Sequence, residues 1–269
     1  MKKNALLIKI KNSWLFIIFF AVIILVCFVA LIKIIRKQPI YIYTKVKVGQ
    51  GLWWAATNKP SIWYVKGIKK GEIERDLTGK PLAEIVDVTY YPSRQENQYD
   101  TYLIVKIAVS GSQKTNKYSF KRSAIGVSSP IDFEFPSSPV TGTIIAISNQ
   151  PFIDQSVEKI IYLTKKLAYP WEYDAIKVGD VYSNGQKQVL EIMDKTSSDT
   201  TIISSDLFGN SNASITDVRK YLVVKIRIKL KEVDRQLIYG EEQVINVGKI
   251  IYLTTENFAF SDFVIGKIE

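Results

Sequence analysis

The chain repeats itself, and an internal repeat limits the possible folds more than any composition does. Ile68-Lys69-Lys70-Gly71-Glu72 returns as Ile176-Lys177-Val178-Gly179-Asp180. Ala83-Glu84-Ile85-Val86-Asp87 returns as Leu190-Glu191-Ile192-Met193-Asp194, and Tyr102–Ile107 returns as Tyr221–Ile226. The order is the same in both copies. Two tandem modules of ordinary domain size are therefore expected, each long enough to bury its own core. The branched and aromatic side chains that dominate both copies suit a pleated, half-buried surface, so the modules are read as all-β, small barrels or sandwiches.

A second feature precedes the repeat. Trp14 to Ile32 carries no charged residue, with Lys9 and Lys11 before it and Lys33, Arg36 and Lys37 after it. Nineteen residues at about 1.5 Å each span roughly 28 Å, close to the hydrocarbon thickness of a bilayer. The flanking lysines and arginine can snorkel to the headgroups. The run is longer than the apolar part of a signal peptide, and no small-residue cleavage site follows it. The expected plan is a cytoplasmic tail at 1–12, a transmembrane helix at 13–37, a first β module at 38–150 and a second at 151–269. The short basic tail favours a cytoplasmic N-terminus and an exported β region at the outer face of the cytoplasmic membrane, although the basic residues on the two sides differ little in number.

The formal net charge is +10, but residues 1–37 hold seven basic side chains and no acid. The remainder has 29 basic and 26 acidic residues, a net of only +3. The excess lies beside the apolar run, where an anionic lipid bilayer rather than nucleic acid is the expected partner.

Along each copy, a Pro-led turn (Pro60-Ser61 and Pro170) opens a short helical turn that runs into Gly71-Glu72 or Gly179-Asp180. Strands follow, separated by turn signals, of which Asn184-Gly185 is the strongest for a hairpin. Val224 to Lys231 alternates apolar and basic residues, so one face is buried and one is solvated. Ser93–Asp100 and Asp206–Asp217 read as mobile polar loops, the second lengthened by about a dozen residues relative to the first copy. Lys159–Thr164 and Lys249–Thr254 are the same hexapeptide, which reads as a third, truncated copy of the opening strand.

The residue types exclude much chemistry. The chain has no histidine and one cysteine, Cys27, inside the apolar run. Ser-His-Asp and Cys-His nucleophilic sites, intrachain disulfides and His or Cys zinc sites are thereby ruled out. A Ser-Lys site of the kind found in membrane-anchored signal peptidases pairs Ser with Met, and Met193 is preceded by Ile192. Glu84 and Asp87, like Glu191 and Asp194, lie three apart on a strand, which by period-2 geometry puts each pair on opposite faces and argues against a shared carboxylate site. No enzyme activity, cofactor or metal site is expected. Gly71, Glu72, Gly179 and Asp180 read as a structural turn, glycine supplying a positive φ and the acid accepting local N–H bonds. Trp53, Trp54, Trp63 and Trp171 are the candidate contacts to a partner or a glycan. Core packing, and for Trp53-Trp54 an interfacial belt, remain open for them.

The turn, the Ala-Ile-Lys-Val-Gly-Asp run from Ala175 to Asp180, the following Gly turn and the strand ending in Glu-Ile-x-Asp together resemble a bacterial membrane-anchored family. Its members have a short basic N-terminus, one span and a β-rich extracytoplasmic domain of unknown function. In the first copy Gly67 stands for the alanine and Glu72 for the aspartate. The resemblance implies no catalytic residue. The expectation is a single-pass scaffold or adaptor in an envelope assembly or export complex, with envelope protein partners or a second copy of itself. The alternative is a cell-wall or surface-glycan binding module.

Overall fold

The computed structural model describes residue 14 and residues 18–29, 40–49, 59–94, 97–112, 114–115, 117–205, 208–209 and 211–269. The chain divides into two units, Met1–Ile40 and Tyr41–Glu269. In the first, residue 14 and residues 18–29 are helical and exposed. No helix among the described residues is long and apolar enough to cross a membrane. The rest of the expected 13–37 span, and the tail at 1–12, lie outside the described residues.

The second unit is mostly β and contains the same antiparallel sheet twice. The first sheet is built from β1 (Ile40–Val48), β2 (Ile73–Arg75), β3 (Pro81–Pro92), β4 (Tyr99–Ser112), β5 (Lys117–Phe120), β6 (Ser123–Ile125), β7 (Pro130–Glu134) and β8 (Pro139–Ser148). The second is built from β9 (Ser156–Ala168), β10 (Val181–Ser183), β11 (Gln188–Ser205), β12 (Ser211–Val233), β13 (Gln236–Tyr239), β14 (Gln243–Ile245), β15 (Ile250–Thr254) and β16 (Ala259–Ile268). Strand order is β2-β3-β4-β1-β8-β7 in one and β10-β11-β12-β9-β16-β15 in the other. Each is one curled eight-stranded sheet. Each also carries one short helix, α1 (Ile62–Gly67) or α2 (Pro170–Ala175), at the Pro-led turn.

Alternation explains the cores. Val224, Ile226, Ile228 and Leu230 of β12 are fully buried, while Lys225, Arg227, Lys229 and Lys231 point the other way. Each buried aliphatic side chain contributes about 1.5–3 kcal/mol. Ile42, Leu103, Val105, Ile107, Phe133 and Ile144 do the same in the first sheet. Thr44 is buried among them, and its hydroxyl is paired by donating to the Val105 carbonyl at 3.2 Å.

The duplication reaches the irregularities. β3 carries a bulge between Ile85 and Asp87, and β11 carries one between Ile192 and Asp194. The pairing of β1 with β8 shifts beside Ile145, and that of β9 with β16 shifts beside Gly266. A bulge adds one residue to a strand and resets its alternation. This overturns the opposite-face reading of the acids. Glu84 faces Lys106 and Asp87 faces Ile104, two residues apart on β4, so both acids lie on one face. Glu191 and Asp194 face Arg227 and Lys225 and also share a face.

Two other expectations change. Lys249–Thr254 is no third opening strand. Its residues 250–254 form β15, the outermost strand paired with β16, where β7 stands in the first module. The loop expected at Asp206–Asp217 is largely strand, since β12 begins at Ser211. β11 and β12 continue their pairing from Thr200↔Thr216 to Ser205↔Ser211, so most of the extra length extends a two-stranded ribbon; residues 206, 207 and 210 lie outside the described residues. Ser93–Asp100 is the tight end of the β3–β4 hairpin, where the Lys59 ammonium donates to Ser93 Oγ at 2.8 Å and to Asp100 at 2.9 Å. Residues 95 and 96 lie outside the described residues.

Candidate functional site

Trp53 and Trp54 lie outside the described residues. Trp63 and Trp171 occupy the same place in the two copies, on α1 and α2, five residues before Ile68 and Ile176. Those isoleucines, with Val65, anchor the helical turns in the core. The tryptophans face away from it and are 76% and 59% exposed. The two settings differ in detail. Trp63 stands edge-on to Tyr64, ring centroids 6.1 Å apart, beside a hollow of about 180 Å³ lined by Lys59, Ser61, Tyr64 and Thr141. The Tyr64 hydroxyl donates to the Pro139 carbonyl at 2.6 Å, which fixes that ring. Trp171 stacks near Tyr169, centroids 6.3 Å apart, and the Arg219 guanidinium covers the Tyr169 ring at 3.2 Å. Exposed aromatic faces of this kind bind flat or apolar partners.

The glycine-acid pairs close each module. Gly71, at φ +85, donates its N–H to the Ile85 carbonyl at 2.8 Å, and Ile85 N–H returns to the Glu72 carbonyl at 3.0 Å. Gly179, at φ +91, makes the same exchange with Ile192, and Ile192 N–H returns to Asp180. The acid side chains then reach across the module. Glu72 accepts from the Ser137 N–H and hydroxyl, at 3.2 and 2.6 Å. Asp180 accepts from the Asn257 amide at 2.9 Å. Both acids thus tie the turn to the tip of the last hairpin. No group of three or more metal-ligating side chains gathers among the described residues.

The two modules meet along a tyrosine seam that the sequence reading missed. Tyr90 N–H donates to the Asn184 carbonyl at 3.1 Å, the Tyr182 hydroxyl to the Tyr90 carbonyl at 2.9 Å, and the Asn184 amide to the Tyr91 hydroxyl at 3.1 Å. Tyr91 packs edge-on against Tyr239, centroids 5.2 Å apart. Burial pushes the phenols of Tyr91, Tyr182 and Tyr239 above their ordinary values. Asn184-Gly185, read as a hairpin signal, does join β10 to β11, and its tip is also pressed against Tyr90. Next to the seam Glu241 accepts from Lys45 at 3.2 Å and also pairs with Lys231. Burial alone would raise the Glu241 carboxyl, but Lys231 and Lys45 outweigh it and hold the group below the usual carboxylate range. The seam borders a cleft of about 340 Å³ that includes Lys45, Asp87, Tyr91, Lys187, Lys229 and Lys231.

The paired strand acids occupy separate settings. Glu191 accepts from Arg227 at 2.7 Å, and Asp194 from the Lys195 N–H at 2.9 Å. Asp87 lines the cleft. No family model, curated protein or solved structure matches the chain.

Proposed function

We propose that the protein is a membrane-anchored scaffold or adaptor of a bacterial envelope assembly. In this reading the apolar run holds the chain in the cytoplasmic membrane, and the two β modules stand outside it as one body joined at the tyrosine seam. A partner protein docks on the tryptophan turns. The observation that carries the reading is the pair of exposed indoles, Trp63 and Trp171, at the same position of two duplicated folds. A core position would bury such a ring, and an exposed tryptophan kept on a fixed turn is a ready anchor for an interface. The absence of histidine from the chain, and the pairing of Glu191 with Arg227, fit a binding role.

A photo-crosslinking residue placed at Trp63 and, separately, at Trp171 tests this in intact cells. One discrete adduct common to both positions is expected, competed away when the unlabelled chain is overexpressed. Adducts of scattered sizes, or none, would refute the docking. The hollow beside Trp63, with Lys59, Ser61 and Thr141 on its walls, supports a second reading as a glycan-binding module. Retention on purified envelope polysaccharide that is lost in Trp63→Ala would favour that reading over the first. Topology is tested separately in a Cys27→Ser background. Leu77, fully exposed on the β2–β3 turn, replaced by cysteine, should react with an impermeant thiol reagent on intact cells. Labelling only after lysis would overturn the exported placement.

A further inference from the structure

The cleft between the modules is built more elaborately than a joint requires. Its volume of about 340 Å³ falls within the roughly 300–1,000 Å³ typical of small-molecule sites. Four lysines, Lys45 of the first module and Lys187, Lys229 and Lys231 of the second, line it. Each has an acid partner, and two of those acids, Glu241 and Asp154, line the cleft with them. Lys231 divides Glu241 with Lys45. Glu158 reaches Lys229 only at 3.7 Å and from an exposed position, and the Asp154 that pairs with Lys187 is itself half exposed. Burial lowers the Lys187 ammonium below its ordinary value, and repulsion from Lys229 and Lys231 lowers it further. Asp87 offsets part of this, and a bound anion would relieve the like-charge repulsion that remains.

Asp87 is the second observation. The β3 bulge turns it into the cleft, where its Oδ1 is buried without a hydrogen-bond partner among the described residues. A buried acceptor left without a partner is destabilising, and a donor from a ligand would satisfy it. The duplicate shows that the fold itself does not require these groups. Asp194, the counterpart of Asp87, accepts the N–H of the next residue as Asp87 does, but it is exposed where Asp87 is half-buried. By the register of the repeat, Ser110 and Ser112 stand in the first module where Lys229 and Lys231 stand in the second.

We propose that this cleft binds a small phosphorylated sugar or polyol. Lys187, Lys229 and Lys231 hold the phosphoryl oxygens, a ligand hydroxyl donates to Asp87 Oδ1, and the carbon skeleton lies against Tyr91 and Phe152. The site is independent of the tryptophan docking surface.

Calorimetric titration of the full-length chain in detergent tests it, with glucose 6-phosphate, glucose and inorganic phosphate as probes. Saturable one-to-one binding of glucose 6-phosphate is expected, with weaker binding of phosphate and none of glucose. Lys229→Ala and, as a milder change, Lys229→Gln should each weaken glucose 6-phosphate at least about tenfold, the loss of one charge-assisted hydrogen bond. Asp87→Asn should weaken glucose 6-phosphate while leaving inorganic phosphate unchanged. If the monomeric sugar phosphate fails, a soluble poly(glycerol phosphate) fragment distinguishes a polymer ligand from a free one. Absence of binding to both, or binding that none of these variants alters, would overturn the assignment.

Discussion

Gly79 and Gly185 hold nearly the same backbone conformation, at φ +82 and +96, and differ in what surrounds them. A Cβ at Gly79 meets nothing within 4 Å, whereas one at Gly185 would lie 2.4 Å from the Tyr90 ring. Alanine at Gly79 should therefore cost only the left-handed backbone strain, about 1–2 kcal/mol. Alanine at Gly185 should cost about 3 kcal/mol or more, because Tyr90 must move and the Tyr90–Asn184 and Tyr182–Tyr90 hydrogen bonds move with it. Urea denaturation of both variants measures the difference, and equal losses would show that the seam does not press on the turn. The tryptophans give the opposite expectation. Trp63→Ala should change stability by no more than about 0.5 kcal/mol, since the ring is exposed. A loss above about 2 kcal/mol in the same assay would return Trp63 to the core and remove the basis for docking on it.

The β11–β12 ribbon is the element that separates the two copies. Beyond Asp199↔Lys220 it pairs only with itself, from Thr200↔Thr216 outward. Excision of residues 200–216 leaves Arg219 on Tyr169 and, among the described residues, every buried strand side chain in place. The shortened chain should keep its melting temperature within about 4 °C of the parent, equivalent to roughly 1 kcal/mol or less, as differential scanning calorimetry would report. A larger drop would mean that the ribbon contributes to the core. The ribbon also shows where sequence periodicity stops being informative. Residues 224–231 could be read because alternating aliphatics and cations leave one possible buried face. Asp206–Asp217 is mostly polar, so it reads as loop although β12 is paired from Ser211 onward. The bulge at Val86 was hidden because an extra valine looks like any strand residue until its partner strand fixes the register. Gly71 and Gly179 were legible because they recur. The cleft lysines were not, since Lys229 and Lys231 lie on the outward face of an alternating strand, and only the packing of one module against the other makes that face an interior wall.

At the scale of the whole molecule one carboxylate ties the two modules together beside the tyrosine seam. Lys45 comes from β1 of the first module, Lys231 from β12 of the second, and Glu241 from the turn after β13 lies between them. The Glu241 carboxyl is held below the usual range by these two lysines despite its burial. A group whose folded value is depressed contributes stability that is complete above its unfolded value and is lost as pH falls through the folded one. Docking should therefore be constant from neutrality down to the ordinary carboxylate range and weaken below it, as Glu241 takes up a proton and leaves two ammonium groups facing each other. Glu241→Gln removes the charge while keeping the shape. It should cost about 2 kcal/mol at neutral pH, the loss of charge-assisted hydrogen bonds in a partly buried site. It should also flatten the acid limb, so that the variant and the parent converge in stability at the acid end. A urea-unfolding series from pH 7 to pH 3, followed by far-ultraviolet circular dichroism, measures both effects. Parallel curves across the series would show that the acid sensitivity does not arise from Glu241.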